Sequence, residues 1–342
     1  MPRILYFLLA LSVAVCSPAA HSEDIVKRIQ KAVAISALDQ PGTHPFHLKA
    51  ILAPSSDRDK DSGRTGSVEI WWKAPGEWRR EVSSPQFHQV QIVSGGQTRQ
   101  KNDGDYFPNW LRNLADALIR PVPLSPDLYK QMDSGEVKDL VRFGVTHVSW
   151  AIMSSNGEVQ KGLGAGIELN DNTGLLFTAN GMGFDGLFHD YKGFHNRQVA
   201  RTVSSGDPEV TAKVVTLEDL GSVPEGWFAI TASGGSPLIQ TGVLDELNLR
   251  KNLLPLDPAT WPPTKDGPLE GVLTTEVSID RTGAVRETGP IVSDNSSLDD
   301  AARKHIEAMH FRPFLLNGAP IQVLSRITLS FKTVRRDTSA AQ

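Results

Sequence analysis

The sequence predicts an α+β protein with two domains, in which an antiparallel meander with a few helices precedes a small β-β-α-β domain. Three observations predict this class. Short apolar segments alternate with Gly- and Pro-containing turns up to about residue 220, which is typical of an antiparallel sheet. Five prolines then interrupt residues 253–270, namely Pro255, Pro258, Pro262, Pro263 and Pro268. After this break, two strand patterns, one helical stripe and one long alternating strand follow in order.

The length and composition are those of an ordinary globular protein. The 342 residues correspond to about two domains at roughly 150 residues per domain. A formal net charge of −4 and a pI near 6.1 argue against the basic surface that binds nucleic acid, so we expect no nucleic-acid partner. A single cysteine excludes an intramolecular disulfide, a cysteine-based zinc site and an iron–sulfur cluster.

Residues 1–22 have the pattern of a secretory signal peptide. The basic Arg3 precedes an apolar run at residues 4–16, and small residues follow it at candidate cleavage sites. The run is short for a membrane span, which needs about 20 residues. Cleavage would give a periplasmic protein without its only cysteine, Cys16. The alternatives are an uncleaved inner-membrane anchor and a lipoprotein modified at Cys16, although Val15 is not the small residue expected there.

Residues 23–235 are predicted to form the first domain, which consists mainly of strands. Early strands are predicted at residues 46–52, 68–72, 78–82 and 87–93. The turns between them fall at Pro75-Gly76 and Gly95-Gly96, and further strands are predicted up to about residue 220. Residues 25–37 and 109–119 carry apolar side chains at helical spacing. We therefore expect these two helices to pack against the sheet.

Five aromatic residues are predicted to line a hydrophobic pocket in this domain: Trp71, Trp72, Trp78, Phe107 and Trp110. Trp71 and Trp72 are adjacent on one predicted strand, so their side chains must point to opposite faces. One of them can join the core, and the other needs a cover. That cover is a helix, a partner, or an apolar cavity that holds a lipid or an acyl chain.

Several segments of the first domain resemble LolA-like domains, which include periplasmic lipoprotein carriers and lipid-binding relatives. The matching segments are residues 68–75, 78–81, 106–108, 166–170, 173–174 and 189–192. The resemblance implies a curved antiparallel half-barrel that helices close and that contains a hydrophobic hollow. It does not imply that this chain carries lipoproteins.

Residues 271–335 are predicted to form the second domain, between a proline-rich linker at residues 236–270 and a tail at residues 336–342. Strands are predicted at residues 272–279 and 284–292, joined by a hairpin turn. A helix follows, with Ser296 or Ser297 as its N-cap. Its core stripe consists of Leu298, Ala301, Ala302, His305, Ile306 and Met309.

The last predicted strand is long and has one buried face and one mostly polar face. The apolar positions are mainly odd-numbered from Ile321 to Phe331. The alternate positions are Gln322, Leu324, Arg326, Thr328 and Ser330.

This second domain resembles the carboxy-terminal domain of TonB-type energy transducers. The resemblance is carried by residues 271–272, 277–280, 283–285, 298–302, 311–313, 317–320 and Phe331. It implies that an outer-membrane receptor peptide, or another envelope protein, adds a strand to an exposed sheet edge. We predict that edge on the last strand, at Gln322, Leu324, Arg326, Thr328 and Ser330, and this requires the strand to be free on one side.

No sequence pattern indicates an enzyme, a cofactor or a metal site. The chain lacks a Gly-x-Ser-x-Gly elbow, a Walker loop and a His-Glu-x-x-His motif. Residues 162–166 are glycine-rich, but they lead into a strand rather than a helix, so they do not fit a dinucleotide loop. The histidines are interpreted as scattered, although His189 and His195 are candidates for a loop cluster with nearby aspartates.

Three functional hypotheses remain open. The main one is a periplasmic TonB-like protein that binds a partner by strand addition in outer-membrane transport. The second is a lipid or lipoprotein carrier whose carboxy-terminal domain only docks it. The third is a membrane-anchored energy transducer, although its spacer would be short and a folded domain lies where the spacer is expected.

Overall fold

The computed structural model describes residues 18–123, 136–140, 144–150, 165–181, 183–229 and 235–336, together with Leu128 and Met132. The predicted apolar run at residues 4–16, most of the glycine-rich segment and the tail beyond residue 336 lie outside these ranges. Among the described residues, each helix is too short or too polar to cross a membrane. The signal peptide and its alternatives therefore stay predictions.

The described helices are α1 (Pro18–Ser36), α2 (Asn109–Ala117), α3 (Glu246–Arg250) and α4 (Asp299–Glu307). Short 3₁₀ helices span Asp57–Ser62 and Ser296–Leu298. The first twelve strands are β1 (Phe46–Pro54), β2 (Gly66–Ala74), β3 (Glu77–Ser84), β4 (Phe87–Ser94), β5 (Gln97–Asp103), β6 (Glu136–Leu140), β7 (Val145–Trp150), β8 (Ala165–Asn170), β9 (Leu176–Gly181), β10 (Phe184–Phe194), β11 (Arg197–Ser205) and β12 (Val210–Asp219). The last six are β13 (Thr241–Val243), β14 (Glu270–Ile279), β15 (Val285–Thr288), β16 (Val292–Ser293), β17 (Phe314–Leu316) and β18 (Ala319–Lys332).

The first twelve strands form one open antiparallel sheet in the order β5-β4-β3-β2-β1-β12-β11-β10-β9-β8-β7-β6. Helix α2 contacts β3, β10 and β11. Since β3 and β10 are five positions apart, they would be separated by about 24 Å in a flat sheet. One helix of about 10 Å diameter reaches both only if the sheet curves around it. The predicted α+β class with a curved antiparallel sheet is confirmed.

The core of the first domain lies between this sheet and its helices. Ile29 and Val33 from α1 and Leu111 and Leu114 from α2 are almost fully buried in the same cluster as Ile70 of β2. The predicted helical spacing therefore does mark the buried faces. The connection between β1 and β2 contains the short 3₁₀ helix Asp57–Ser62.

The carboxy-terminal strands form a second sheet in the order β13-β18-β14-β15, with β16 on β14 and β17 on β18. Helix α4 packs on this sheet through Ala302 and Ile306, within a separate hydrophobic cluster that includes Phe311 and Ile327. The predicted β-β-α-β order is present, with the short strands β13, β16 and β17 added to it.

The N-cap predicted at Ser296 or Ser297 is wrong. Asn295 instead caps the 3₁₀ helix Ser296–Leu298, which leads directly into α4, and its side-chain oxygen accepts hydrogen bonds from the Ser297 backbone N–H at 3.2 Å and from its hydroxyl at 2.7 Å. Asn295 also donates to the carbonyl oxygen of Pro268 at 2.8 Å. The capping position is therefore determined by a tertiary contact with the proline-rich segment as well as by hydrogen bonds within the helix.

The single buried face predicted for β18 is also wrong. Side chains on both faces are buried from Ile321 to Ile327, and Gln322 and Arg326 are 3% and 1% exposed. The alternation resumes only at the end of the strand, where Ser330 and Lys332 are exposed. The reason is that the polar face in the first half of β18 lies against the first domain.

The segment predicted as an extended linker makes specific contacts along its length. Ser236 forms a bridge with Gln100 of β5. Residues 241–243 then form β13, and Leu253 forms a bridge with Phe311. Within residues 235–254, the chain thus crosses from the edge of the first sheet to the edge of the second.

Candidate functional site

The strand predicted to bind a partner is not free on one side. On one edge, β18 pairs with β14 along ten residues, from Ile279 opposite Val323 to Glu270 opposite Lys332. On the other edge it carries the parallel strand β13. The Gln322 backbone N–H donates to the carbonyl oxygen of Gln240 at 2.8 Å, and the Leu244 N–H donates to that of Leu324 at 2.9 Å.

Beyond β13, side chains of helix α3 replace the backbone as partners of β18. Glu246 Oε1 accepts a hydrogen bond from the Thr328 backbone N–H at 2.8 Å, and its Oε2 accepts one from the Thr328 hydroxyl at 2.9 Å. Arg250 donates both to the Thr328 carbonyl oxygen and to Glu246. Together these two side chains satisfy the donor and the acceptor of one strand residue.

Helix α3 is held in place by its own local chemistry. The side chain of Asp245 accepts from the Asn248 backbone N–H at 3.0 Å and so caps the helix. Glu246 and Arg250 are one helical turn apart, the spacing at which opposite charges meet. The sequence contains the pattern of a capped helix with an internal ion pair. That pattern does not predict that the helix lies beside β18.

The five predicted edge residues divide into three kinds. Gln322, Leu324 and Arg326 have buried side chains that face the first domain. Thr328 is half-buried under α3, and Ser330 is exposed. The predicted binding edge of β18 is therefore covered, in its first part, by other segments of the same chain.

Gln322 joins the two domains. Its side-chain oxygen accepts from the Phe107 backbone N–H at 2.7 Å, and its side-chain nitrogen donates to the Phe107 carbonyl oxygen at 3.0 Å. A primary amide carries one acceptor and one donor group, which match the two backbone groups of a single residue. The side chain of Gln322 thus bonds to Phe107 in the way that the backbone of a neighbouring strand would.

A second junction is formed by Glu287 at the end of β15. Its Oε1 accepts from the Asn109 backbone N–H at 2.6 Å, at the first turn of α2, and from the Tyr106 hydroxyl at 2.7 Å. A carboxylate at a helix N-terminus is stabilised by the unpaired N–H groups there. Burial, followed by the nearby charge of Glu287, raises the pKa of Tyr106 well above its usual value. This phenol therefore acts as a hydrogen-bond donor.

A cavity of about 310 Å³ lies between the two domains. Its lining includes Trp110 and Phe184 of the first domain together with Glu276, Glu287 and Arg326 of the second. Arg326 donates to Glu276 at 3.3 Å. Burial raises the pKa of Glu276 and lowers that of Arg326, and their mutual attraction offsets only part of each effect. The junction therefore contains a polar site of its own.

The five aromatic residues predicted to form a pocket do not surround one cavity. Trp72 is buried and lies near Trp78, with ring centroids 6.3 Å apart. Trp71 points to the other face, as predicted, where Trp227 covers it edge-on and Arg79 lies 4.1 Å from the Trp227 ring centre. The cover of Trp71 is thus a third tryptophan of the same chain, which lies in a turn, and is not the predicted helix or cavity.

The remaining aromatic side chains lie at two other places. Phe107 stacks on Phe87 with ring centroids 4.7 Å apart, and Trp110 lines the interdomain cavity. Trp78 lines a second cavity of about 300 Å³ in the first domain. That cavity has apolar walls from Ile119, Pro121, Pro123 and Phe184, and polar walls that include Arg80, Arg112 and Arg120.

Comparison with known proteins supports the carboxy-terminal assignment. Residues 265–333 match the family model described as Gram-negative bacterial TonB protein C-terminal. This match confirms the TonB resemblance, and the chain carries a TonB-like carboxy-terminal domain. No curated protein has significant similarity to the chain.

Among solved structures, two similar ones are a putative outer membrane lipoprotein-sorting protein domain from Vibrio parahaemolyticus and a DUF1329 family protein from Desulfovibrio piger. The first is 12% identical with a TM-score of 0.32, and covers 61% of this chain and 97% of the other. The second is 8% identical with a TM-score of 0.34, and covers 62% and 97%.

Proposed function

We propose that this protein is a periplasmic envelope protein whose TonB-like domain binds an extended segment of a partner by strand addition at the β13 edge of β18. The observation that carries the proposal is that this edge already holds a strand. Residues 241–243 add to β18 in parallel, so the backbone groups of Gln322 and Leu324 are oriented to accept an added chain.

The resident strand is short enough to be replaced. β13 pairs with three residues of β18, whereas β14 pairs with ten on the other edge. Parallel pairing is also slightly less stable per residue than antiparallel pairing. An incoming segment of six or more residues would make more hydrogen bonds than β13 makes, including those that Glu246 and Arg250 now supply to Thr328.

The partner class follows from this mode of binding. Strand addition recognises an extended backbone first, and side chains only at alternate positions. The TonB-like domain makes an extended peptide of an outer-membrane receptor the first candidate. The role is one of binding rather than catalysis.

The test is direct binding of a fluorescent TonB-box peptide, the short receptor segment that TonB-type domains bind. Binding is measured for the full chain and for two variants that are expected to change the affinity in opposite directions. Glu246→Ala removes the side-chain cap from Thr328 and should tighten peptide binding. Thr328→Pro removes the backbone N–H of residue 328, which points to the β13 edge, and should therefore weaken peptide binding. The hydrogen bonds between β18 and β14 involve the N–H and carbonyl groups of other residues.

Glu270→Ala serves as the matched control, because Glu270 is exposed and pairs with Lys332 at the end of β18. It should leave peptide affinity unchanged. If neither the wild-type chain nor Glu246→Ala binds the peptide, or if all three variants bind it equally, strand addition at this edge is wrong.

A second candidate function is a carrier of an amphipathic molecule, and the cavity beside Trp78 favours it. Its volume of about 300 Å³ is at the lower end of ligand pockets, and it combines apolar walls with three arginines. Arg80 and Arg112 pair with Asp116, and Arg120 pairs with Asp39, so the cavity suits an apolar chain with a polar head group. Native mass spectrometry of protein extracted gently from an envelope fraction tests this. A ligand-free mass would count against it, and a Trp78→Ala variant should lose any bound species.

A further inference from the structure

Three side chains converge at one end of the first sheet, away from the β18 edge. His44 precedes β1, Asp219 is the last residue of β12, and His195 lies in the turn between β10 and β11. Their convergence follows from the strand order β1-β12-β11-β10. The register places Phe46 opposite Asp219, and the Leu220 N–H donates to the Pro45 carbonyl oxygen at 3.0 Å.

The potential ligand atoms of these three residues all lie within 4.8 Å of one another. His44 Nδ1 is 3.4 Å from Asp219 Oδ1, and His195 Nε2 is 2.5 Å from the same oxygen. The two imidazole rings are stacked, with centroids 4.0 Å apart. Both histidines therefore direct a nitrogen toward one carboxylate.

From this geometry we propose that His44, His195 and Asp219 form a binding site for a divalent transition-metal ion such as Zn²⁺, Ni²⁺ or Cu²⁺. Two imidazoles and one carboxylate are ligands that these borderline ions accept. The site is independent of the proposed partner-binding function.

The distances fit such an ion after a small adjustment. Tetrahedral bonds of about 2.1 Å place neighbouring ligand atoms roughly 3.4 Å apart. The His44–Asp219 distance already has this value, the His195–Asp219 hydrogen bond must open by about 1 Å, and the stacked rings of His44 and His195 must turn apart. Side-chain rotation can provide this, because the side chains of His44, His195 and Asp219 are 48%, 40% and 61% exposed.

The tight turn between β10 and β11 sets the position of His195. Its φ is +49°, in the left-handed region. Phe194 pairs with Arg197, so the loop has two residues, and a two-residue hairpin loop needs a positive φ. The ring of His195 lies against Phe194 and His44.

Binding of the ion through His44 Nδ1 would replace the 3.2 Å contact between this nitrogen and the Pro45 carbonyl oxygen.

Solvent would complete the coordination shell, since only three ligands come from the protein. A bound ion would link the segment before β1 to the β10–β11 turn and the end of β12. It would thereby stabilise this end of the sheet and raise the melting temperature with increasing metal concentration.

Isothermal titration calorimetry of tag-free, chelator-treated full chain with ZnSO₄ tests the site. We expect one ion per chain. His44→Ala, His195→Ala and Asp219→Asn should each weaken binding at least tenfold, and His88→Ala, which changes an exposed histidine elsewhere, should not. Electron paramagnetic resonance with Cu²⁺ should show two nitrogen ligands in the wild type and one in each histidine variant.

Three results would overturn the proposal. One is no saturable binding at millimolar Zn²⁺. Another is equal binding by all variants. The third is loss of binding in His47→Ala with retention in His44→Ala, which would place the ion at the neighbouring group of His47, Glu69 and Glu218 instead. Melting curves without metal check that each variant is folded, as expected for exposed side chains.

Discussion

The side-chain amide of Gln322 in the carboxy-terminal domain pairs with both backbone polar groups of Phe107 in the amino-terminal domain. The two hydrogen bonds are 2.7 and 3.0 Å long, and both residues are 3% exposed. Because the site is buried, water cannot replace the amide. The strand that was predicted to face a partner therefore also holds the two domains together.

Gln322→Ala should destabilise the protein by about 2 kcal/mol or more, since it leaves the buried N–H and carbonyl of Phe107 unpaired. Urea unfolding measures the loss, and hydrogen exchange at Phe107 should accelerate. Gln97→Ala, at an exposed glutamine of β5, should change stability by less than about 0.5 kcal/mol. If the two variants had the same free energy of unfolding, the Gln322–Phe107 hydrogen bonds would not be what stabilises the contact between the domains.

Glu246→Ala should expose the backbone amide of Thr328 to solvent exchange. A hydrogen bond to a charged group contributes about 1.5–3 kcal/mol, so exchange at Thr328 should increase roughly 10- to 100-fold. Hydrogen-exchange mass spectrometry of peptides from β18 detects this. Unchanged protection at Thr328 would contradict the view that α3 closes this edge, and Glu270→Ala provides the matched control.

Gly283→Ala should be among the most damaging changes in the second domain. A Cβ at this position would lie 1.9 Å from the Phe311 carbonyl oxygen, and the glycine φ is +93°. We expect a loss of at least about 2 kcal/mol from strain and displacement of the backbone. Gly318→Ala is the control, because its φ is +80° but nothing lies within 4 Å of the added atom. Thermal unfolding should show a clearly smaller loss for Gly318→Ala, and similar losses would contradict the clash.

Asp280 should contribute stability that depends on pH. Burial opposes its ionisation, but hydrogen bonds from Thr282, Ala284 and Arg286 outweigh burial and lower its pKa. A carboxyl group whose pKa is lower in the folded state stabilises the fold above its unfolded pKa, and this contribution is lost as the pH falls through the folded pKa.

The free energy of unfolding of Asp280→Asn should therefore be about 1 kcal/mol below that of the wild type at pH 7, with the difference shrinking below about pH 4. Denaturant titrations from pH 3 to 7 measure it. The exposed Asp257→Asn should show no such trend. A difference that stays constant with pH would mean that the Asp280 charge is not involved.

Much of the fold was predictable because local patterns determine it. The hairpin of β2 and β3 needs the Pro75-Gly76 turn between two strand-like runs, and the structure has it. Helix α4 follows its apolar stripe, although the cap lies at Asn295, before the 3₁₀ helix that leads into it. These features depend on neighbours a few residues away, which is the range that sequence periodicity reports.

The sites were less predictable because they depend on distant pairs. His44, His195 and Asp219 are far apart in the chain and meet only through strand order. The pocket predicted from Trp71, Trp72, Trp78, Phe107 and Trp110 assumed that neighbouring aromatics share one cavity. The curved sheet instead distributes them over two faces and two cavities.

By itself, the sequence determined the fold class, the small carboxy-terminal domain and its TonB-like character, because these follow from hydrophobic periodicity and motifs within short segments. Only the tertiary structure decided that Gln322 and Arg326 are buried, that residues 241–250 cover the edge of β18, and that two histidines share a carboxylate. The physical reason is that burial and hydrogen-bond partners are set by which surfaces pack together. A polar strand face looks the same in sequence whether it meets water or another domain.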